Sequence, residues 1–221
     1  MRLFGFAHSP YVHKIRVALE LVGKKYEYVE VPFLERRELA ELTGGYIHVP
    51  VFQDDDGTVV TESRRIAERL VAQPGGARLV PSPWEGPIWA YCDFVDGPLE
   101  DVLFRLASPA VRDAWKRPDE RAFYTLIKER KFGAGCVDAW AAQREELIAR
   151  GRALLAPTVR TLAAQPFLFG ERPTLADAAL FGQFAMLAPD ARLPPALFGE
   201  VFPGFIERLT TARRMANSSQ P

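Results

Sequence analysis

Leu3-Phe4-Gly5-Phe6-Ala7-His8-Ser9-Pro10-Tyr11-Val12 decides how this chain begins to fold. Leu3 to Phe6 is a short apolar run that reads as a buried strand. Ser9-Pro10 then marks the mouth of a helix. A serine side chain can cap the first orphan N–H groups, and proline suits the first helical position, where no N–H is needed. Ile15, Val17, Ala18, Leu19 and Val22 give that helix an apolar stripe, and Gly23 ends it. A strand running into a helix N-terminus gathers free N–H groups and a partial positive charge at one spot. Any thiolate placed over Ser9-Pro10-Tyr11 would be held there.

Further along, Tyr26-Glu27-Tyr28-Val29-Glu30-Val31 alternates with period two, as a half-buried strand does. The charged stretch from Leu34 to Leu42 reads as a short exposed helix closed by Gly44-Gly45. Val49-Pro50-Val51-Phe52 and Thr58-Val59-Val60 flank Asp54-Asp55-Asp56-Gly57, a hairpin signal. Glu62-Ser63 opens a helix with Ile66, Ala67, Leu70 and Val71. The predicted order is β-α-β-α-β-β-α.

From Gln73 to Pro87 the composition shifts to proline, glycine and serine, which marks a boundary. Beyond it the signals are helical. Ile88, Tyr91, Cys92, Val95, Leu99, Val102, Leu103 and Leu106 keep helical spacing, with a kink or interruption expected at Gly97-Pro98. A second helix is expected from Pro118-Asp119-Glu120 through Phe123, Leu126 and Ile127, with a break near Gly133 and Gly135. A third spans Glu146 to Ala164, kinked at Pro157. Thr174-Leu175-Ala176-Asp177 resembles a capping box leading into Ala178, Leu180, Phe181 and Phe184. The Ser218-Ser219-Gln220-Pro221 tail is expected to fray.

The 221 residues have room to bury a sizeable core. Apolar content of 48% and charged content of 25% suit a soluble globular chain. Basic and acidic residues balance at 28 each, so no global field recruits nucleic acid or an anionic membrane. Two cysteines, Cys92 and Cys136, do not make a disulfide framework and fit a reducing compartment. The start of the chain is too short in apolar residues for a signal peptide, and no apolar run approaches the ~18 residues of a membrane helix. The expectation is a cytoplasmic protein.

In redox proteins of the thioredoxin fold, Cys-Pro-Tyr-Cys stands where this chain has Ser9-Pro10-Tyr11-Val12. Both sulfurs are missing, so a reacting sulfur must arrive with a ligand. The β-α-β-α-β-β-α unit, the proline-rich boundary and the helical second half together resemble the cytosolic glutathione transferase family, in its serine-type, bacterial-like form. Four features carry the resemblance: Ser9-Pro10-Tyr11, the Val49-Pro50 step, Glu62-Ser63 with Ile66, and Pro173-Thr174-Leu175-Ala176-Asp177. The implied fold is α/β plus all-α. A thioredoxin-like glutathione-binding domain would span 1–79, a linker 80–87, and an all-helical domain contributing the electrophile pocket 88–221. The resemblance also implies glutathione as co-substrate and a homodimer; without a cysteine or carboxylate cluster at ligand spacing near His8 and His13, no metal is expected.

In that family the bond before the residue matching Pro50 is cis, which aims the carbonyl and N–H of Val49 at the glutathione backbone. A plainer reading is a proline at the start of an edge strand. Ser63 and nearby N–H groups can receive the γ-glutamyl carboxylate, while Glu62 pairs with its amino group. Equally, Glu62-Ser63 can simply start a helix. Thr174 and Asp177 are expected to serve folding.

Conjugation needs the thiolate, and a thiol of pKa ~8.5 is only about 3% ionised at pH 7. One hydroxyl bond to the charged sulfur contributes ~1.5–3 kcal/mol and a helix N-terminus ~0.3–1 kcal/mol. Together these lower the thiol pKa by ~1.5–2.5 units. Serine-type members use a hydroxyl at the position of Ser9, which also has a plain capping role. Tyr11 is the second candidate, as donor or as a wall of the electrophile pocket. Many relatives have lysine just before the Val-Pro step, where this chain has Ile47-His48. His48 can donate one hydrogen bond there, or Arg36 or Arg37 can substitute. His8 and His13 read as packing or surface residues. For the electrophile pocket Phe104, Trp115, Phe132 and Trp140 are candidates, with Phe104 and Phe132 preferred, although helical aromatics are often core. Cys136 reads as a small buried hydrophobe. Arg64-Arg65 is expected on an exposed face at a subunit contact. The resulting expectation is a transferase joining the glutathione thiolate to small apolar electrophiles in detoxification. Alternatives on the same site are peroxide reduction or dehalogenation, or a non-catalytic binding module.

Overall fold

The computed structural model describes residues 1–218. Ser218 closes the last helix, and the rest of the tail expected to fray, residues 219–221, lies outside the described residues. The first half contains β1 (Arg2–Gly5), α1 (Pro10–Leu21), β2 (Glu27–Glu30), α2 (Arg37–Thr43), β3 (Val51–Gln53), β4 (Val59–Thr61) and α3 (Ser63–Ala72), in the predicted order. The four strands form one mixed sheet, ordered β2-β1-β3-β4. β1 pairs parallel to β2, with Leu3 opposite Tyr28, and antiparallel to β3, with Leu3 opposite Phe52. Alternate residues of β1 face opposite sides of the sheet. Leu3 joins the large core with α1 and α3, whereas Phe4 joins a smaller cluster with Val31, Leu39 and Val51. Phe6, expected as a strand residue, lies beyond the end of β1 and is only half-buried.

Close approach sets α1 against the sheet. A Cβ added to Gly5 would stand 2.5 Å from Val12 Cγ1, so only glycine lets the strand end pass the helix there.

The second half is helical: α4 (Glu85–Phe94), α5 (Glu100–Ala114), α6 (Pro118–Phe132), α7 (Cys136–Ala142), α8 (Arg144–Ala164), α9 (Leu175–Leu187), α10 (Leu193–Phe198) and α11 (Val201–Ser218). Gly97-Pro98 does not break the first of these runs. Val95–Leu99 forms a π-helical turn between α4 and α5, a widened turn that absorbs a proline lacking its N–H. α6 ends where the glycines predicted, at Gly133 with φ 99° and Gly135 with φ 71°. α10 and α11 were not singled out by periodicity.

α9 is buried on almost every side and runs through the centre of the helical half. Its start is the capping box. Thr174 N–H and Oγ1 donate to Asp177 Oδ2 at 2.8 and 3.0 Å, and Leu168 N–H donates to Oδ1 at 2.9 Å. Burial pushes the Asp177 carboxyl up to about 6, against the pull of these donors.

Several contacts tie the two halves together. Leu175 N–H donates to Leu79 O at 2.9 Å. Lys14, only 3% exposed, pairs with Asp96 of the π-helical turn. Arg64 pairs with Asp93 at 2.8 Å and lies 3.9 Å from the Trp89 ring centroid. Among the described residues, no helix is long and apolar enough to cross a membrane.

Candidate functional site

A cavity of about 1090 Å³ opens between the two halves, just above the ~300–1,000 Å³ usual for small-molecule sites. The first half contributes Phe6, Ser9, Tyr11, Phe33, Arg36, His48 and Val49. The second half contributes Glu100 and Phe104 from α5, Trp115 just after it, and Tyr124, Lys128 and Phe132 from α6.

Ser9 caps α1 as the sequence predicts. Its backbone is extended, φ −87° and ψ 116°, and its Oγ accepts from Val12 N–H at 3.3 Å. It is 6% exposed. Among the described residues its hydroxyl proton has no acceptor, so the cap leaves the O–H free to donate. His13 N–H is taken by Ser9 O at 3.2 Å, while Tyr11 N–H has no acceptor among the described residues.

Tyr11 is engaged elsewhere. Its hydroxyl donates to Glu100 Oε2, across the interface between the halves. Burial first, and then the Glu100 charge and hydrogen bond, push the phenol far above its ordinary value. Burial also raises the Glu100 carboxyl to about 6. Both candidate hydroxyls therefore reach the cavity, but only the Ser9 proton is uncommitted.

The glutathione-contact candidates take the following positions. The Val49–Pro50 peptide bond is cis, Val49 lines the cavity and Pro50 is buried. Glu62 is the one described non-glycine residue with positive φ, at 68°, a conformation costing ~1–2 kcal/mol. It stands at the N-cap position of α3, as the helix-start reading expects, but its side chain makes no capping bond; Oε1 accepts from Tyr46 O–H at 2.7 Å instead. Ser63 is 7% exposed at the first position of α3, and among the described residues its hydroxyl has no partner. Ile66 N–H takes Glu62 O, so the three N–H groups before it lie beyond the helix's own ladder.

His48 is exposed and meets the Tyr46 ring edge-on at 5.4 Å. Of the two arginines, Arg36 lines the cavity: Nη1 donates to Ile47 O at 2.7 Å and Nε to Phe33 O at 3.1 Å. Arg37 has a 79% exposed side chain and a 3.9 Å contact with Glu35. His8 packs edge-on to Trp115 at 5.1 Å, and His13 Nε2 sits 2.9 Å from Ala7 O. Burial lowers the pKa of both imidazoles. Among the described residues no group of three or more His, Cys, Asp or Glu is placed to hold a metal ion.

On the opposite wall, Phe104 and Phe132 both line the cavity. With Trp140 they form a triangle of rings, centroids 5.7, 5.6 and 5.3 Å apart. Trp140 itself is 4% exposed and belongs to the core behind them. Trp115 stacks on Phe33 at 4.3 Å and 25°. Cys136 is buried, and burial raises its thiol pKa.

Lys128 was not anticipated. Its Nζ lies 4.4 Å from the Phe104 ring centroid and 4.8 Å from that of Tyr124, and burial lowers its pKa to about 8. Phe33, Glu100 and Tyr124 were likewise missed. They carry no local motif: Phe33 lies in the connection between β2 and α2, and Glu100, Tyr124 and Lys128 reach the cavity through the placement of α5 and α6.

A thioredoxin-like sheet with a cis-proline and a capped α1, followed by a helical half that walls the cavity, defines a class of fold with a thioredoxin-like domain and an all-helical domain. Comparison with known proteins narrows the class. Residues 3–78 match the family model "Glutathione S-transferase, N-terminal domain", and residues 139–209 match "Glutathione S-transferase, C-terminal domain". The chain belongs to the glutathione transferase family. It is 29% identical over 189 residues to a maleylacetoacetate isomerase of Rhizobium meliloti (strain 1021), covering 82% of this chain and 78% of that protein. A glutathione S-transferase of Arabidopsis thaliana is 34% identical over 88 residues, covering 38% of this chain and 40% of that protein. Among solved structures, a glutathione S-transferase of Ceriporiopsis subvermispora in complex with glutathione superposes with a TM-score of 0.80 at 18% identity. That match covers 100% of this chain and 98% of that one.

Proposed function

We propose that the protein binds reduced glutathione with its sulfur over the N-terminus of α1, and transfers that sulfur to a small apolar electrophile in the cavity between the halves. The observation that carries this reading is Ser9: buried, capping α1 through its oxygen, and with its hydroxyl proton uncommitted. In this reading the Ser9 O–H and the free Tyr11 N–H stabilise the thiolate. Val49 meets the peptide backbone of glutathione, and Glu62 and Ser63 take its γ-glutamyl end. Arg36 takes over the cationic position before the Val-Pro step, with His48 beside it. Tyr11, Phe104 and Phe132 wall the electrophile. The cis Val49–Pro50 bond and the family membership support this assignment.

The same reading divides the chain into a glutathione domain at 1–79, a linker at 80–87 and an electrophile domain from 88 onward. It also takes the protein to be cytoplasmic, in keeping with its two free cysteines, and a homodimer, as the family resemblance implies. A second reading is isomerisation by reversible addition of the thiolate to a double bond, which the likeness to the Rhizobium meliloti protein favours. Peroxide reduction, dehalogenation and binding without turnover remain the other branches, and a panel of electrophiles separates them.

Calorimetry with reduced glutathione at millimolar concentration tests the reading. A saturable heat of association is expected, followed by turnover with at least one class of electrophile. No heat of association would remove the proposal.

A further inference from the structure

Resting on the glutathione reading only for the source of sulfur, we propose that Lys128 is an anion anchor, and that the second substrate is a flat apolar molecule carrying a carboxylate. Lys128 sits on α6 with its ammonium over the faces of Phe104 and Tyr124. Among the described residues no carboxylate lies within ion-pair distance of it. Nearby acids are already engaged. Glu100 accepts from Tyr11, Asp101 pairs with Arg105 at 2.8 Å, and Asp96 pairs with Lys14.

The other cations at the cavity are placed differently. Arg36, itself over the Phe6 and Phe33 rings, spends donors on the Phe33 and Ile47 carbonyls, and Lys131 is exposed. Among the described residues, Lys128 is the cavity cation that combines partial burial with neither a hydrogen-bond acceptor nor an ion-pair partner. An ammonium taken partly out of water costs free energy unless something replaces its hydration. Two ring faces do so incompletely, because a quadrupole is weaker than a full negative charge. A ligand carboxylate completes the set.

The remaining walls specify the rest of the molecule. Phe33 and Trp115 present a stacked pair, and Phe104 and Phe132 present ring faces behind the ammonium. A planar hydrocarbon body fits between such rings, with its charged end at Lys128. Lys128 thus determines specificity and takes no part in the bond made to sulfur.

The test compares 2-naphthoate with its uncharged isostere 2-naphthamide, by calorimetry on the full chain, in wild type, Lys128→Met and Lys128→Arg. In wild type the carboxylate is expected to bind at least tenfold more tightly than the amide. Lys128→Met should collapse that ratio to about one while leaving the amide unchanged, and Lys128→Arg should restore most of it. Equal affinities in wild type, a ratio that survives Lys128→Met, or no binding of naphthoate would each overturn the proposal. Glutathione is absent from these titrations, so failure of the glutathione reading shows separately, in its own calorimetry.

Discussion

Gly182 on α9 lies so close to Pro10 on α1 that a Cβ added to it would stand 2.3 Å from Pro10 O and 3.2 Å from Lys14 N. The central helix of the second half thus touches the backbone of the turn that carries Ser9. Backbone cannot swing aside as a side chain can. Gly182→Ala is therefore expected to push the α1 N-terminus away and to destabilise the protein by ~1–3 kcal/mol or more, as overpacking does. Gly204→Ala on α11 is the control, since its nearest neighbour is the end of the Arg208 side chain at 3.1 Å. That variant should be neutral or gain up to ~1 kcal/mol from helix propensity. Urea denaturation of both distinguishes the cases; equal stability of the two variants would contradict the close-packing account.

Asp177 supports the same helix from its other end. Three donors converge on its two oxygens, two from Thr174 and one from Leu168. Asp177→Asn replaces one oxygen with an NH₂ group, which faces a backbone N–H and satisfies nothing. One or two buried donors lose their acceptor, at ~1–3 kcal/mol each. Thermal melts should show a clear loss of stability in this variant at pH 7. A melting temperature within a degree of wild type would contradict the bonding described.

Glu100 gives the stability a pH dependence of known sign. Burial raises its carboxyl from 4.5 to about 6 in the folded protein. A raised acid contributes stability that is fully present below its unfolded pKa and lost as pH rises through about 6. Above that pH the folded chain carries a partly desolvated charge. Glu100→Gln removes the charge and keeps an oxygen to accept from Tyr11. The variant should gain up to ~2 kcal/mol over wild type at pH 8, and the difference should vanish near pH 4. Denaturation at the two pH values decides it; a constant difference would mean that the carboxyl does not titrate as described.

Where the site was legible, the signal was local. The cap at Ser9, the hairpin around Asp54-Asp55-Asp56-Gly57 and the box at Thr174–Asp177 each depend on residues within a few positions of one another. Phe104 and Phe132 were preferred as residues flanking helix ends, which holds for Phe132 before Gly133, whereas Phe104 lies inside α5. Glu100 and Lys128 were not, because their setting depends on how α5 and α6 fold against α1. The Gly97-Pro98 pair announced an interruption, and packing of α9 against that segment is met by a widened turn that keeps α4 and α5 continuous. α10 escaped notice because Pro194-Pro195 sits at its start, and six residues hold too little of a repeat to show periodicity. The φ of Glu62 has no signature in residue type at all, since glutamate rarely adopts it.

The central claim is that the Ser9 hydroxyl donates to the bound glutathione sulfur and holds it ionised. Ultraviolet titration of the thiolate in the glutathione complex addresses it directly, in wild type and in Ser9→Ala. The bound thiol of wild type should titrate ~1.5–2.5 pH units below free glutathione, and most of that depression should disappear in Ser9→Ala while glutathione still binds. Superimposable titration curves for the two complexes would contradict the account.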